Sequence, residues 1–324
     1  MDRLIFILAI SFGSIAAGYG IRRFAVSHSG KADETLRSIS RRLKLAAFFF
    51  LNPVALLSTF WALRIPDPRV LALPLLGLFS FAVGIAGALA AIRILKVPAY
   101  RAGSLFTCGS YGNVLTMGGL VAYAIFREPG YGLVQLFALF LSSAYYVIGY
   151  PMSANIGGGR RPIFKFSIVN IKENPFLMLP ISAMALGFGL QATGLARPGF
   201  LTGIVGIIVP CVAATLGIAI GLTLRFTGFR SYFREITAIV VIRHMLLPLV
   251  MIPAALLLGL GKVAGGLPVQ VIAIVSIMPV GFNSLGPPAI YGFDLDLANS
   301  AWITSTALLA VIVPILFLVF GLAL

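Results

Sequence analysis

The chain has 324 residues, of which 60% are hydrophobic and only 10% are charged, and its mean hydropathy is +1.04. A soluble domain carries roughly 25% charged residues. This composition therefore excludes a cytosolic enzyme, a secreted disulfide scaffold and a disordered regulator, and it indicates an integral membrane protein. The net charge of +15 comes from Lys and Arg residues between apolar runs, where they anchor topology and predict no nucleic-acid partner.

Ten apolar segments are long enough to be helical spans, each of which needs roughly 20 residues. Backbone groups in hydrocarbon must be hydrogen-bonded within their own segment, so the segments are predicted to be helices. The predicted fold is an all-α integral membrane protein with ten transmembrane helices. They run near residues 4–21, 43–61, 70–92, 102–125, 132–154, 174–193, 200–224, 237–260, 268–291 and 298–321.

The orientation follows from the distribution of positive charge between alternate loops. Of the 24 Lys and Arg residues, 18 lie in the loops of one side and 6 lie on the other. The side richer in Lys and Arg is expected to be cytoplasmic, which places both termini outside the cell. Within the first of these loops, segment 31–42 carries Leu36 and Ile39, with Leu43 just beyond it, at helical spacing beside a basic face. This pattern predicts an amphipathic helix lying on the anionic lipid of the inner leaflet.

Five predicted spans precede a basic, Gly-rich connecting loop at residues 157–173, and five follow it. An odd number of spans in each half means that the second half enters from the opposite face, as in inverted-repeat transporters. The chain is thus predicted to consist of a first five-helix repeat, 1–156, and a second, 174–324. In each half the fourth segment is the one most interrupted by Gly and Pro, at 108–119 and 278–288.

These interruptions predict a ligand site. Gly and Pro lower helix stability, so the fourth and ninth helices are expected to be broken and to cross at mid-membrane. Half-helix N-termini, freed backbone N–H groups and the amides of Asn113 and Asn283, at corresponding places, would then attract an anion or carboxylate. The alternative is that the small residues only permit tight helix packing. The predicted substrate-binding residues are Ser110, Gly112, Asn113, Gly118, Pro279, Asn283, Ser284 and Tyr291.

Charged residues restrict the mechanism further. All nine Asp and Glu residues fall in loops or at helix ends, which disfavours a cation antiporter with a mid-membrane carboxylate. Arg243 and His244 lie in an apolar segment and are expected to reach the cytoplasmic headgroups, with proton sensing or gating by His244 as the alternative. No nucleophile–base pair or metal-ligand set is evident at depth, so we expect neither an enzyme nor a cofactor or metal.

Several of these segments together resemble the auxin efflux carrier family, which includes plant PIN proteins and bacterial permeases. The similar segments are Asn113 with Gly118 in the fourth span, Met278-Pro-Val-Gly-Phe-Asn-Ser284 in the ninth, and Tyr291-Gly-Phe-Asp294 after it. The resemblance covers nearly the whole chain. The long cytoplasmic loop of plant PIN proteins is absent, which favours a bacterial-type permease of the inner membrane. Leu120 stands where the family pattern usually has Pro, so Gly118 and Gly119 are expected to supply the break.

The resemblance implies how the spans divide. Spans one, two, six and seven would form a scaffold and the surface of a homodimer, and the other six spans would form a moving transport unit. Substrate would bind where the fourth and ninth spans cross and be carried by an elevator-type alternating-access motion. The expected function is secondary transport of a small organic anion, auxin-like or a dicarboxylate. The alternatives are a sodium-coupled organic-anion symporter of the bile-acid type and a gated channel or sensor.

Overall fold

The computed structural model describes residues 2–28, 32–65, 67–158, 175–224 and 229–321. Within these ranges the regular structure is helical, apart from one isolated β-bridge. Seven of the helical stretches are long and apolar enough to cross a membrane. The predicted class, an all-α membrane protein that crosses the bilayer several times, is thereby confirmed. Most of the connecting loop, 159–173, lies outside the described residues.

The helices are numbered here in chain order. Val114–Ile156 is divided at Arg127, whose φ of 59° and ψ of −149° are not helical. The helices are α1 Ile5–His28, α2 Ala32–Ala62, α3 Pro68–Leu95, α4 Ala99–Ser110, α5 114–126, α6 128–156, α7 Pro175–Ala192, α8 Phe200–Gly221, α9 Phe233–Leu257, α10 Leu267–Ser276, α11 Gly286–Tyr291 and α12 Leu295–Phe320.

The basic segment of the first loop is part of α2. Its helix continues without interruption from Ala32 to Ala62. Leu36 is buried in a cluster with residues of α8, and the Ser40 hydroxyl donates a hydrogen bond of 2.5 Å to the Ala219 carbonyl. The prediction of an amphipathic helix lying on the leaflet is therefore wrong: the segment continues into the long helix α2 and packs Leu36 against α8, while Ile39 stays exposed.

The helices pack in two groups. In the first group, α8 packs against α1 and α2, and α7 packs against α2. Small residues allow these backbones to approach closely. A Cβ atom on Gly18 of α1 would lie 2.3 Å from the Ile218 carbonyl oxygen of α8, and one on Gly187 of α7 would lie 2.6 Å from the Leu57 carbonyl oxygen of α2. In the second group, α3 packs on α4, α9 on α3, α10 on α9 and α12 on α4.

Polar contacts tie the loops together at one end of the second group. Arg101 at the start of α4 forms ion pairs with Glu235 of α9 (3.3 Å) and with Asp294 before α12 (3.4 Å). The Tyr232 hydroxyl also donates to the Asp294 carboxylate, at 3.0 Å. Burial, reinforced by that carboxylate, raises the pKa of Tyr232 to about 12, so the phenol stays protonated and remains a donor.

The opposite end has contacts of its own. The Arg69 guanidinium donates to the Gly259 carbonyl at 3.1 Å, which joins the start of α3 to the loop after α9. Arg197, before α8, forms an ion pair with Glu128 at the start of α6. Each of these contacts joins loops that the distribution of Lys and Arg assigns to the same side.

Candidate functional site

Two helices of the second group are broken at positions that face each other. Helix α4 ends at Ser110, and three non-helical residues, 111–113 (the first break), precede α5. Helix α10 ends at Ser276, and residues 277–281 (the second break) lead to a 3₁₀ turn, Phe282–Leu285, and then to α11. Such backbone is tolerated at membrane depth only where protein buries it or where it lines a cavity.

The two breaks pair as a short antiparallel bridge between Gly112 and Val280. Two backbone hydrogen bonds flank the bridge, from Asn113 N–H to the Pro279 carbonyl (2.9 Å) and from Gly281 N–H to the Tyr111 carbonyl (2.7 Å). The approach is close, because a Cβ atom on Gly281 would lie 2.7 Å from the Gly112 carbonyl oxygen. The structure thus brings together Gly112, Asn113 and Pro279 of the predicted site.

The bridge uses backbone donors that the sequence analysis expected to be open to a ligand. Besides the two bonds across the bridge, Gly112 N–H donates to the Tyr145 hydroxyl (3.2 Å) and Val280 N–H donates to the Ser305 hydroxyl (3.2 Å). The prediction of free backbone donors is therefore wrong for these four N–H groups. Buried amides find partners wherever packing provides them, and here each break provides partners for the other.

Asn113 keeps an unused donor. Its side chain is buried, with the residue 6% exposed, and Oδ1 caps the start of α5 by accepting the Met117 N–H at 3.5 Å. Its Nδ2 group has no hydrogen-bond partner among the described residues. A buried donor without a hydrogen-bond partner destabilises the protein by about 1–3 kcal/mol. A ligand that accepts a hydrogen bond from Nδ2 would remove this cost, which would strengthen its binding.

Asn283 has a different position. It is half-buried in the 3₁₀ turn that follows the second break. The antiparallel bridge pairs Gly112 with Val280, so the residue opposite Asn113 is Pro279. Asn113 directly follows Gly112, whereas Asn283 lies three residues beyond Val280, so the two Asn residues do not hold corresponding places at the bridge.

The remaining predicted residues have contacts of their own. The Ser110 hydroxyl donates back into α4, to Phe106 O at 2.6 Å. The buried Ser284 hydroxyl donates to Gly281 O at 2.7 Å, and it lies 3.8 Å from the thiol of Cys108, which donates to it. Tyr291 ends α11, half-buried, away from the bridge in sequence.

Gly118 does not supply the first break. It lies in a helical turn, Val114–Gly118, and the chain continues as helix through Gly119. A Cβ atom on Gly118 would lie 3.3 Å from side-chain atoms of Met278 and Val275, so this glycine packs against the other broken helix. The expectation that Gly118 and Gly119 replace the usual Pro is corrected: the chain unwinds earlier, just before Asn113.

Sequence reasoning missed Arg243, which contacts both breaks. It is only 3% exposed, and its Nε and Nη2 groups donate to the Met278 carbonyl at 3.2 and 3.0 Å. Against the first break, a Cβ atom on Gly112 would lie 2.1 Å from Arg243 Nη2. The next residue, His244, has its Nδ1 2.9 Å from the Ile277 carbonyl.

The prediction that Arg243 reaches the cytoplasmic headgroups is wrong. Arg243 is ten residues past the start of α9 at Phe233, which is about 15 Å along the helix axis and half the thickness of the hydrocarbon core. The second break leaves carbonyls without helical partners, and side chains of α9 bind them there. The position of Arg243 in the middle of an apolar segment was the sequence signal that could have placed it in the membrane interior.

Aromatic rings pack beside the bridge. The rings of Tyr111 and Tyr145 are stacked, with centroids 4.4 Å apart, and Tyr150 lies parallel to Tyr111 at 6.3 Å. Glycine leaves room for them, because a Cβ atom on Gly149 would lie 2.2 Å from the Tyr111 hydroxyl. These rings bury one side of the first break.

A cavity of about 40 Å³ lies between α2, α5, α6 and α7. One of its lining residues, Leu115, is two residues after Asn113 in the chain. Its lining is Phe48, Asn52, Leu56, Leu115, Gln135, Ala138, Leu139, Ser142, Ser143, Pro180, Ile181 and Met184. This cavity has room for a few water molecules. The cavity lies where the two groups of helices meet, so a relative movement of the groups would change its size.

The described residues contain no group of three or more His, Cys, Asp or Glu side chains that could hold a metal ion. Cys108 is buried and Cys211 is exposed, and both are free. In the comparisons with known proteins, no family model and no curated protein matches the chain.

Proposed function

We propose that this protein is a secondary transporter of a small organic anion, and that its substrate binds where the two breaks meet. The bridge between Gly112 and Val280 carries the proposal. It brings two interrupted helices from distant parts of the chain to one buried point, and the unpaired Nδ2 donor of Asn113 lies beside it. The seven long apolar helices fit a membrane transporter in general.

The proposed topology has ten spans in two inverted repeats. Dividing Val114–Ile156 at Arg127, and adding α7 and the broken helix formed by α10 and α11, raises the seven long stretches to ten; α4 and α5 together form one broken span. The packing of the helices supports the repeat. A two-fold rotation that exchanges the two halves of the chain converts the α1–α8 contact into the α7–α2 contact. It also converts the α3–α4 contact into the α9–α10 contact. The same operation exchanges the two strands of the bridge.

Alternating access would come from movement between the two groups of helices. The first group corresponds to the proposed scaffold spans one, two, six and seven, and we assign the other six spans to the second group; residues 119–137 of α5 and α6 pack on α10 and α3 and also contact α2 and α8 of the first group. Both breaks belong to the second group, so the site would travel with it in an elevator-type motion. This division matches the one implied by the resemblance to auxin efflux carriers, and we propose membership of that family on this basis.

The decisive experiment is uptake by the purified protein in phosphatidylethanolamine–phosphatidylglycerol liposomes. The probes are labelled malate and labelled indole-3-acetate, with sodium either present or replaced by choline. We expect saturable uptake of at least one probe. Uptake that stops in choline would favour the sodium-coupled symporter, and current that does not saturate would indicate a channel. No specific uptake of organic acids would overturn the proposal.

Two variants test the location of the site. Asn113→Ala removes the unpaired donor, and because a hydrogen bond to a charged group contributes about 1.5–3 kcal/mol, KM should rise about 10- to 100-fold. Asn155→Ala is the matched control. It also removes a buried Nδ2 group without a partner, but near the end of α6 and far in sequence from both breaks. Equal KM values for the two variants would remove Asn113 from the site.

A further inference from the structure

Arg243 has a charge that no described side chain balances. The ion pairs of the described residues use the carboxylates of Asp33, Asp67, Glu128, Glu235 and Asp294, which lie in loops or at helix ends. Arg243 lies instead beside both breaks and is almost completely buried. A buried ion is strongly disfavoured unless an opposite charge or several hydrogen bonds compensate it.

The hydrogen bonds of Arg243 leave part of its guanidinium free. Nε and Nη2 both donate to a single acceptor, the Met278 carbonyl, and Nη1 has no hydrogen-bond partner among the described residues. The edge formed by Nη1 and Nη2 therefore retains donors. Two parallel N–H groups on one edge match the two oxygens of a carboxylate, the geometry of a bidentate Arg–carboxylate pair.

We propose that Arg243 is the specificity-determining residue of the site, and that its Nη1–Nη2 edge binds the ionised carboxylate of the transported molecule. The proposal rests on the proposed transport function and goes beyond it. It assigns to one residue the choice of a carboxylate over its neutral analogues. Because the positive charge is fixed in the protein, binding needs no sodium ion.

A purely structural role for Arg243 makes a different prediction. If the guanidinium only caps the Met278 carbonyl, then a side chain with an N–H donor but no charge should replace it. Arg243→Gln tests this, since glutamine keeps an amide donor and loses the charge. Arg243→Lys keeps the positive charge but loses the bidentate fork, which is the pair of parallel N–H donors on the guanidinium edge. Gly112→Ala keeps the arginine, but its Cβ atom would lie 2.1 Å from Nη2 and must push the guanidinium aside.

The experiment compares each acid with its neutral amide, malate with malamide and indole-3-acetate with indole-3-acetamide, as competitors of labelled uptake. We expect the wild type to prefer the carboxylate at least 100-fold. The preference should fall below tenfold in Arg243→Gln and Gly112→Ala and be intermediate in Arg243→Lys. Arg93→Gln, which replaces an exposed arginine at the end of α3, should retain the full preference.

The outcomes separate this inference from the proposed function. If the wild type takes up no organic acid, the transport proposal fails. If it takes up an acid but accepts the amide equally well, or if Arg243→Gln keeps the preference, only the role of Arg243 fails. Should Arg243→Gln not fold, the wild-type comparison and Arg243→Lys still decide, because an unchanged preference in Arg243→Lys would show that the bidentate fork is not used.

Discussion

The substitution Gly281→Ala tests most directly how closely the two breaks approach each other. The backbone of Gly281 has φ −72° and ψ 147°, an extended conformation that alanine adopts without strain. The added Cβ atom would lie 2.7 Å from the carbonyl oxygen and 2.8 Å from the carbonyl carbon of Gly112. Both are backbone atoms of the facing break, so no side chain can rotate away to relieve the clash.

The size of the effect follows from the hydrogen bonds at the bridge. To accept a Cβ atom the two breaks must separate, which breaks or lengthens the Gly281–Tyr111 bond of 2.7 Å and the Asn113–Pro279 bond of 2.9 Å. Each lost bond leaves a buried donor and acceptor, at a cost of about 1–3 kcal/mol. For the two bonds we expect a total destabilisation of about 2–6 kcal/mol, together with loss of transport.

Thermal unfolding of the detergent-purified protein, followed by size-exclusion chromatography, measures the first effect, and liposome uptake measures the second. Gly203→Ala in α8 is the matched control, because a Cβ atom there meets nothing within 4 Å. Alanine is favoured over glycine within a helix by about 0.5–1 kcal/mol, so the control should melt slightly higher. If Gly281→Ala melts like the wild type and still transports, the close approach of the two breaks does not matter and the reasoning is refuted.

Three further predictions follow from other contacts. Gly18→Val should lower the melting temperature because its side chain would meet a carbonyl of α8, whereas Gly20→Val on the same helix meets open space and should not; equal melting would contradict the packing. Tyr145→Phe removes the hydroxyl that accepts an amide N–H of the first break at 3.2 Å, and should destabilise by about 1–3 kcal/mol in the same melt. Hydrogen bonds from Arg69 lower the pKa of Asp67 to about 2, so this carboxylate stabilises the fold above about pH 4 and loses that effect as the pH falls towards 2. Asp67→Asn should therefore melt lower than the wild type at pH 7, and the difference should shrink through that window.

The approximate position of the two helix breaks could be predicted from the sequence. Clusters of Gly and Pro weaken a helix through properties of the residues themselves, and they indicated the neighbourhood of Asn113 and Pro279 correctly. The exact residues of the first break were not predicted. Gly118 and Gly119 looked like the breaking residues, yet both are helical: Gly118 packs against Met278 of the other broken helix, and Gly119 packs against Tyr131 of α6. A glycine that permits close packing and one that ends a helix look the same in a sequence.

Arg243 shows most clearly what could not be predicted from the sequence. An arginine in an apolar segment has two ways to satisfy its charge, extending to the headgroups or finding acceptors at depth. The depth of Arg243 within its apolar run favours the second, but the sequence does not reveal the acceptor, which is the carbonyl of Met278, 35 residues later in the chain.

The sequence by itself determined that this is a helical membrane protein and roughly where two helices are interrupted. These properties depend on hydropathy, on charge and on the helix propensity of neighbouring residues. Only the tertiary structure decided the register of Gly112 with Val280, the partners of the freed backbone amides, and the burial of an arginine at the crossing. Each of these depends on which distant atoms pack against a given residue, and no local preference encodes that.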